Sequence, residues 1–256
     1  MTDADADLVH TAVVDGVATI TLDSVANRNA LSSRLVGQLL AAVQDAAADD
    51  TVHALVLTGN GTVFCSGADL SDPPSNASGN RFSYPDVLQA MIACPKPVVA
   101  KVNGLARAGG LGLIAASDIA IAPSTATFAF TEVRLGLVPA IIAVVCRRVM
   151  DARTFARLAL VGETFDGATA VASGLLTRAV DPEALDSEVT ALLAEIHRTE
   201  PVAVATTKRL LEDLASMSIA DGFAHAAAIS TAAFDSEAGR EGIAAFREKR
   251  PPSWAW

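Results

Sequence analysis

The sequence has few aromatic residues and few cysteines. Only 5% of its 256 residues are Phe, Trp or Tyr, and the formal charge is −10. Nucleic-acid phosphates need cations and bases stack on aromatic rings, so this composition argues against nucleic-acid binding. The three cysteines, Cys65, Cys94 and Cys146, are an odd number without a CxxC pair. That usage is typical of a reducing compartment, and we expect a cytoplasmic protein.

Common signatures of metal, nucleotide and membrane chemistry are also missing. Neither GxxxxGK[ST] nor GxGxxG occurs, and the four histidines match no metal-binding spacing. Ser66 lacks the GxSxG context of a nucleophile elbow. No run of ~20 apolar residues is uninterrupted, and the acidic N-terminus does not resemble a signal peptide. We therefore expect no bound metal, no membrane span and no leader.

What is present is an alternation of strand and helix patterns. Asp15-Gly16 separates two β-rich segments and predicts a hairpin. Apolar residues at helical spacing follow Ser32 and predict a helix ending near residue 49. Further strands are predicted at 53–59, 97–102 and 118–122, and further helices near 85–93 and from about 109. This order predicts an α/β fold with layered sheets, and the pattern after about residue 182 is helical only.

Two glycine-containing stretches offer backbone N–H groups. GNGTVFCSGADL at 59–70 follows a predicted strand, and RAGGLGLIAASD at 107–118 opens a predicted helix. Free N–H groups from a tight turn and from a helix N-terminus can together form an oxyanion hole. The alternatives are a simple glycine-rich turn and close helix packing. The segment 72–84, rich in Pro, Ser, Asn and Gly, is predicted to be an irregular loop that borders a site, and Tyr84 is predicted to help shape the pocket of that site.

Several segments in order resemble the enoyl-CoA hydratase/isomerase (crotonase) superfamily. They are the hairpin start, NRNAL at 27–31, GNGTVFCSGADL, KPVVAKVNGLARAGGLGLIAASDIAIA at 96–122, FTEVRLGLVP at 130–139 and the ending EGIAAFREKRPPSW. The resemblance implies a crotonase-like (ClpP/crotonase) α/β spiral of ββα units with a helical C-terminal trimerisation region. The boundaries so implied are 1–181 for the spiral core and 182–256 for the helical oligomerisation region.

The resemblance also implies roles for particular residues. Ala68 and Gly109 match the positions whose backbone N–H groups hold the thioester oxygen of an acyl-CoA. Arg28 matches a basic position near the CoA phosphates, with an ordinary surface arginine as the alternative. Ser66, Asp69 and Leu70 resemble the stretch that lines the CoA adenine site, although Ser66 is equally explained as a turn residue. Lys249, Phe234 and Phe246 match residues that cap the site of a neighbouring subunit, and packing alone also explains the phenylalanines.

Glu132 falls at the position of a catalytic glutamate in the family's hydratases and isomerases. Burial among Phe128, Phe130, Val133 and Leu135 would raise its pKa toward a useful range. The family's two-glutamate hydratases carry their other carboxylate three residues after the second oxyanion glycine, where this sequence has Gly112. A single carboxylate weakens the case for hydration without excluding it.

Three functions are compatible with these residues. The first is hydration of a 2-enoyl-CoA in fatty-acid or branched-chain acyl-CoA metabolism. The second is isomerisation of a 3-enoyl-CoA to a 2-enoyl-CoA, which needs only one carboxylate. The third is a catalytically silent acyl-CoA-binding trimer. We favour the hydratase and expect a homotrimer or a dimer of trimers, with CoA as part of the substrate and no separate cofactor.

Overall fold

Ten strands form two sheets in the computed structural model, which describes residues 7–72 and 84–254. The larger sheet has the order β1-β2-β3-β5-β7-β10, and the smaller has the order β4-β6-β8-β9. The strands are β1 (Val9–Val14), β2 (Val17–Leu22), β3 (Ala54–Gly59), β4 (Val63–Cys65), β5 (Val98–Lys101), β6 (Leu105–Arg107), β7 (Ile119–Pro123), β8 (Thr127–Ala129), β9 (Phe165–Asp166) and β10 (Arg178–Val180).

Ten α-helices accompany these sheets in the described part of the chain. They are α1 (Ser33–Ala48), α2 (Tyr84–Ala93), α3 (Gly109–Ala116), α4 (Ala140–Val149), α5 (Ala152–Val161), α6 (Gly167–Ala172), α7 (Leu185–Ile196), α8 (Pro201–Leu214), α9 (Ile219–Asp235) and α10 (Glu237–Glu248). Short 3₁₀ helices cover Val25–Asn27, Glu132–Leu135 and Pro182–Ala184. None of the helices in the described part of the chain is long and apolar enough to cross a membrane.

The hairpin at the start of the chain forms as predicted. Asp15 and Gly16 both have positive φ, 47° and 69°, which is the backbone of a type I′ turn between antiparallel strands β1 and β2. Strand β2 then pairs parallel with β3, and β3 with β5. Ser32 caps the helix that follows, because its hydroxyl accepts from the Leu35 N–H.

The chain alternates between the two sheets, which is the spiral of ββα units expected from the resemblance. Strands β3, β5 and β7 belong to the larger sheet, and the strands that directly follow them, β4, β6 and β8, belong to the smaller one. Helices α2 and α3 complete the first two units. The α/β fold class is thereby confirmed. The sequence pattern did not predict the strands of the smaller sheet, strand β10 or helices α4 to α6.

Helix α3 lies at the centre of the molecule. All eight of its residues are buried, and they include Leu111, Leu113 and Ile114 of the main hydrophobic core. This explains why the segment has no polar face in its sequence. A buried helix holds its N-terminal turn in a fixed position, and that turn contains Gly109.

The C-terminal part is helical, as predicted. Helices α7 to α10 follow β10, and α7 packs its Leu185 and Val189 against Ile121 of the larger sheet. The predicted boundary at 181/182 and the predicted oligomerisation role remain predictions. Of the predicted loop at 72–84, residues 73–83 lie outside the described part of the chain.

Candidate active site

Two backbone segments meet at the residues predicted to form an oxyanion hole. A Cβ built on Gly67 would lie 3.5 Å from the amide nitrogen of Gly109, so the two loops are in direct contact. Leu31 forms a parallel bridge with Ala68, donating to the Gly67 carbonyl and accepting from the Asp69 N–H. A parallel bridge of this kind turns the N–H of the middle residue, Ala68, away from Leu31. That N–H is therefore available on the side of the other segment.

The position of the second predicted amide, the Gly109 N–H, is fixed by a strained residue that precedes it. Ala108 precedes Gly109 with φ 46° and ψ −116°, a conformation that non-glycine residues rarely adopt. Its own N–H donates to the Ala129 carbonyl, so strand β8 holds it in place. The following Gly109 N–H begins helix α3 and has no acceptor within that helix. Strain of this kind persists where the surrounding structure over-determines it, and it often occurs at functional sites.

Two glycines allow helix α3 to approach the neighbouring segments this closely. A Cβ on Gly109 would lie 2.6 Å from Leu31 Cδ1, and one on Gly110 would lie 2.6 Å from the Cys65 carbonyl oxygen. The second contact is with backbone and cannot be relieved by a rotamer change. The glycine pair of the sequence motif is therefore required for close packing, as one of the two alternatives predicted, and the oxyanion role of Gly109 stays a prediction.

Glu132 has a buried carboxylate oxygen and a shifted pKa. It begins the 3₁₀ helix Glu132–Leu135, and its Oε2 is buried without a hydrogen-bond partner among the described residues. Burial raises the pKa of Glu132 above its ordinary value, although a hydrogen bond from its own backbone N–H opposes the shift. A buried oxygen without a partner is costly and is explained when a ligand or water bonds to it.

The surroundings of Glu132 differ in part from the sequence prediction. Phe128 and Phe130 are buried, but Leu135 is 58% exposed and does not bury the carboxylate, because the 3₁₀ helix turns it outward. The groups that interact electrostatically with Glu132 include Tyr84 and Cys146.

Gly112, at the position of the missing carboxylate, leaves no empty volume. A Cβ built on it would lie 2.5 Å from the Tyr84 hydroxyl oxygen and 2.7 Å from Ile142 Cγ2. The Tyr84 hydroxyl also donates to the Gly109 carbonyl. Tyr84 thus contacts the first turn of α3 at Gly109 and Gly112, and Glu132 is close enough to influence its pKa.

The predicted CoA-binding residues lie partly around this site. Arg28 is exposed with a left-handed backbone, φ 54°, and its carbonyl accepts from the Ser66 N–H at 3.1 Å. A second guanidinium, that of Arg107, is close enough to Arg28 to interact with it, and burial followed by this repulsion lowers the pKa of Arg107. Arg107 is held by Thr127, whose Oγ1 accepts at 3.1 Å. The structure therefore brings Arg28, Ser66 and Arg107 together.

Asp69 and Leu70 have different positions on the same loop. The Asp69 carboxylate accepts from the Ser71 hydroxyl at 2.6 Å and from the Asn27 amide at 2.7 Å. The bonds from Ser71, followed by the one from Asn27, lower the pKa of Asp69. Its side chain therefore stabilises the loop after the bridge. Leu70 is 65% exposed and free to contact a ligand.

Lys249 is not gathered into the same cluster. It ends helix α10 with φ 55°, and within the described ranges it makes no hydrogen bond to the site residues. Phe234 and Phe246, at 66% and 84% exposure, also face outward. A cavity of about 490 Å³ lies elsewhere, lined by residues such as Lys96, Pro201 and Trp254. None of the predicted site residues lines this cavity, and the roles of Ala68, Gly109 and Glu132 stay predictions.

The sequence did not predict the contacts of Tyr84 and Arg107 at this site. The sequence predicts only that Tyr84 helps shape a pocket, and it predicts no role for Arg107. The contacts of Tyr84 with Gly109 and Gly112 join residues more than 20 positions apart along the chain, and no local pattern encodes them. The one available signal was that Gly112 vacates a volume that some other side chain has to fill.

The fold is α/β, two glycine-containing backbone segments meet at Gly67 and Gly109, and the half-buried Glu132 has a carboxylate oxygen without a partner among the described residues. The profile of the family described as enoyl-CoA hydratase/isomerase matches residues 13–255. A protein of Thermus thermophilus provisionally named an enoyl-CoA hydratase is 37% identical over 243 residues, which cover 92% of this chain and 96% of that protein. One from Rhodobacter capsulatus, with a similar provisional name, is 34% identical over 94% of this chain and 95% of its own length.

A crystal structure described as an enoyl-CoA hydratase of Mycobacterium smegmatis has the same fold. It superposes with a TM-score of 0.92 at 32% identity, covering 97% of this chain and 99% of that one. The chain therefore belongs to the enoyl-CoA hydratase/isomerase (crotonase) family, as the resemblance in its sequence indicated.

Proposed function

We propose that this chain hydrates a 2-enoyl-CoA thioester. Membership of the family implies an acyl-CoA substrate. The observation that carries the proposal is the buried, unpartnered oxygen of Glu132, within electrostatic range of a tyrosine that is bonded to the oxyanion segment. An acid–base group and an oxyanion-stabilising amide pair are the two parts that this reaction requires.

The proposed reaction uses Glu132 for both proton movements. As the oxygen of a water molecule bonds to C3, the Glu132 carboxylate accepts one proton of that water. The electrons of the C2–C3 double bond move toward the thioester, whose oxygen becomes an enolate oxygen held by the N–H groups of Ala68 and Gly109. The enolate then takes the proton from Glu132 at C2. The product is a 3-hydroxyacyl-CoA, and Glu132 returns to its carboxylate form.

We propose that the CoA moiety is bound by Arg28 and Arg107 and by the loop that contains residues 66–70. Arg28 and Arg107 together provide the local positive charge that a chain of net charge −10 needs in order to bind an anionic ligand. Ser66, Asp69 and Leu70 would face the adenine end, with Asp69 fixing the loop. Lys249 would reach the site from a neighbouring subunit.

We further propose a homotrimer or a dimer of trimers, located in the cytoplasm. Helices α8 to α10 expose apolar side chains, including Ile219, Phe223 and Phe246, on which another subunit can pack. Sedimentation analysis of the purified protein measures this directly: we expect the mass of three or six chains, and a monomer at micromolar concentration would contradict the proposal.

Isomerisation of a 3-enoyl-CoA is the second candidate. It is favoured by the volume above Gly112, which holds Tyr84 and Ile142 rather than a second carboxylate. In this reaction Glu132 would take a proton from C2 and return it to C4, and no water would take part.

The test is a product analysis with the purified wild-type protein. A series of 2-enoyl-CoA and 3-enoyl-CoA thioesters of several chain lengths is supplied, and 3-hydroxyacyl-CoA and migrated double bonds are measured separately. We expect hydroxyacyl product from 2-enoyl substrates. Double-bond migration without hydration would assign the isomerase reaction instead. Binding of acyl-CoA without either product would identify a catalytically silent binding protein.

A further inference from the structure

The hydroxyl of Tyr84 lies next to Gly112, in the space through which the side chain of a glutamate at position 112 would extend. Its oxygen lies 2.5 Å from the position of a Cβ on residue 112, and Cε1 of its ring lies 3.8 Å from that of a Cβ on Gly109. The side chain therefore runs along the face of α3 that these two glycines share. Tyr84 is the only tyrosine of the chain.

The hydroxyl is held by the first turn of α3. It donates to the Gly109 carbonyl, and the Leu113 N–H is close enough to influence its pKa. These backbone groups are four residues apart and are partners in a regular helix. The hydroxyl is thereby fixed at the end of the helix that also provides the Gly109 amide.

The protonation state of Tyr84 limits what it can do. Burial, followed by the nearby Cys65, Cys146 and Glu132, raises the pKa of Tyr84 well above its usual value, and the Leu113 N–H only partly opposes the shift. The phenol therefore keeps its proton at neutral pH and cannot act as a general base. Because this proton is donated to the Gly109 carbonyl, what the oxygen can offer a ligand is its ability to accept a hydrogen bond.

A water molecule that attacks C3 has to be oriented by two acceptors. One of its protons is transferred to the acid–base group and the other needs a partner, so that a lone pair points at the carbon. Glu132 offers one acceptor, since its Oε2 has no partner among the described residues. The second carboxylate of the family's two-glutamate hydratases is missing, because its position is taken by Gly112.

We propose that the Tyr84 oxygen accepts the second hydrogen bond of the attacking water and so replaces the missing carboxylate in orienting it. This inference rests on the proposed hydratase function. Tyr84 takes no proton in the reaction; the transferred proton passes from water to Glu132 and then to C2. The chain would thus be a hydratase with one carboxylate and one phenol at its water site.

Two reactions of the same enzyme separate water orientation from enolate stabilisation. Hydration of a 2-enoyl-CoA requires the water, Glu132 and the amide pair. Exchange of the C2 protons of a saturated acyl-CoA with D2O requires only Glu132 and the amide pair. Both are measured for wild type and Tyr84→Phe with butanoyl-, hexanoyl- and decanoyl-CoA and the corresponding 2-enoyl thioesters.

We expect Tyr84→Phe to lower kcat for hydration by about 10- to 100-fold, the effect of one hydrogen bond in the transition state, with KM and the exchange rate unchanged. The matched control is Ser117→Ala, which removes a hydroxyl that donates to the Leu113 carbonyl at 3.0 Å at the other end of α3. We expect this control to keep both activities.

Gly112→Ala provides a second variant in case Tyr84→Phe does not fold. Its methyl group would displace the Tyr84 hydroxyl and leave the phenol intact, and we expect the same selective loss of hydration. Equal loss of hydration and exchange would show that Tyr84 acts through the Gly109 amide and would overturn the inference. Full hydration by Tyr84→Phe would overturn it as well. A wild-type protein that exchanges C2 protons but never hydrates would instead refute the proposed function.

Discussion

Glu132 is the residue on which the proposed chemistry depends, and its burial has consequences for pH dependence. The carboxylate form accepts the proton from water, so activity requires deprotonated Glu132. Because burial raises the pKa of Glu132, protonation in the free enzyme sets in at a higher pH than for an exposed glutamate. We expect kcat/KM for hydration to fall on the acid side with a midpoint above the usual glutamate pKa of about 4.3. A profile that stays flat down to that pH would contradict this assignment.

The same burial makes Glu132 unfavourable for stability. A carboxyl group whose pKa is higher in the folded than in the unfolded state favours folding when protonated, and this advantage is lost as pH rises through the folded-state pKa. Replacing it with the neutral Glu132→Gln should therefore raise the free energy of unfolding at pH 7. The gain should stay below about 1 kcal/mol because the residue is only half-buried and solvent screens it.

Urea denaturation of wild type and Glu132→Gln at pH 7 and at pH 4 measures this effect. We expect the difference between the two proteins to be larger at pH 7 than at pH 4, where the wild-type carboxyl is protonated. A variant that is less stable than wild type at pH 7 would show that Glu132 has a structural role.

At the scale of elements, α3 combines burial with close backbone approach. Gly110→Ala places a Cβ 2.6 Å from the Cys65 carbonyl oxygen, so the helix or the strand β4 would have to move. We expect a loss of about 1–3 kcal/mol in the free energy of unfolding, together with lower activity, because the shift displaces the Gly109 amide. Thermal or urea unfolding and the hydration assay measure the two effects.

Gly37 in helix α1 is the matched control for this prediction. A Cβ on Gly37 would meet nothing within 4 Å, and the residue lies in the helix interior. Gly37→Ala should therefore stabilise the protein by about 0.5–1 kcal/mol and keep full activity. Equal destabilisation by both substitutions would show that the contact of α3 with β4 is not the cause.

The elements that the sequence predicted share one property, which is a strong local signal. The Asp15-Gly16 hairpin and the Ser32-capped helix α1 depend on turn and cap chemistry within a few residues. Strands β4, β6 and β8 have only three residues each, too few for a period to be recognised, and their pairing partners lie far along the chain. They form because neighbouring strands of the spiral supply the hydrogen bonds.

The candidate site follows the same division. Ala68, Gly109 and Glu132 were predicted from motif resemblance, and the geometry around them is consistent with those roles. Local pattern could not predict the exposure of Leu135 or the hydroxyl of Tyr84 at Gly112, because both depend on how distant segments pack. Which side chain fills the volume left by a glycine depends on the packing of distant segments, so the local sequence does not encode it.

At the scale of the whole molecule, Lys208 connects helix α8 of the C-terminal part to the α/β core. Its Nζ on α8 lies 2.7 Å from Asp118 Oδ2 and also donates to the carbonyls of Met91 and Lys96, with only 12% of the side chain exposed. Lys208→Met leaves these acceptors in the interior with fewer partners. We expect a loss of about 1–3 kcal/mol in the free energy of unfolding, measured in urea.

Lys101→Met is the control for that substitution. Lys101 pairs with Asp186 of α7 at 2.5 Å, but the Asp186 side chain is 83% exposed. An ion pair with an exposed partner contributes little, so the control should cost less than about 1 kcal/mol. If both variants lost the same free energy of unfolding, burial of Lys208 would not be the reason for its contribution to stability.

The most direct test of the account compares hydration by wild type, Glu132→Gln and the exposed-carboxylate control Glu183→Gln, together with binding of a saturated acyl-CoA. If Glu132 is the acid–base group, Glu132→Gln lowers kcat for hydration by about 10²- to 10⁴-fold while acyl-CoA binding and the control stay at the wild-type level. Hydration by Glu132→Gln at the wild-type rate would contradict the account.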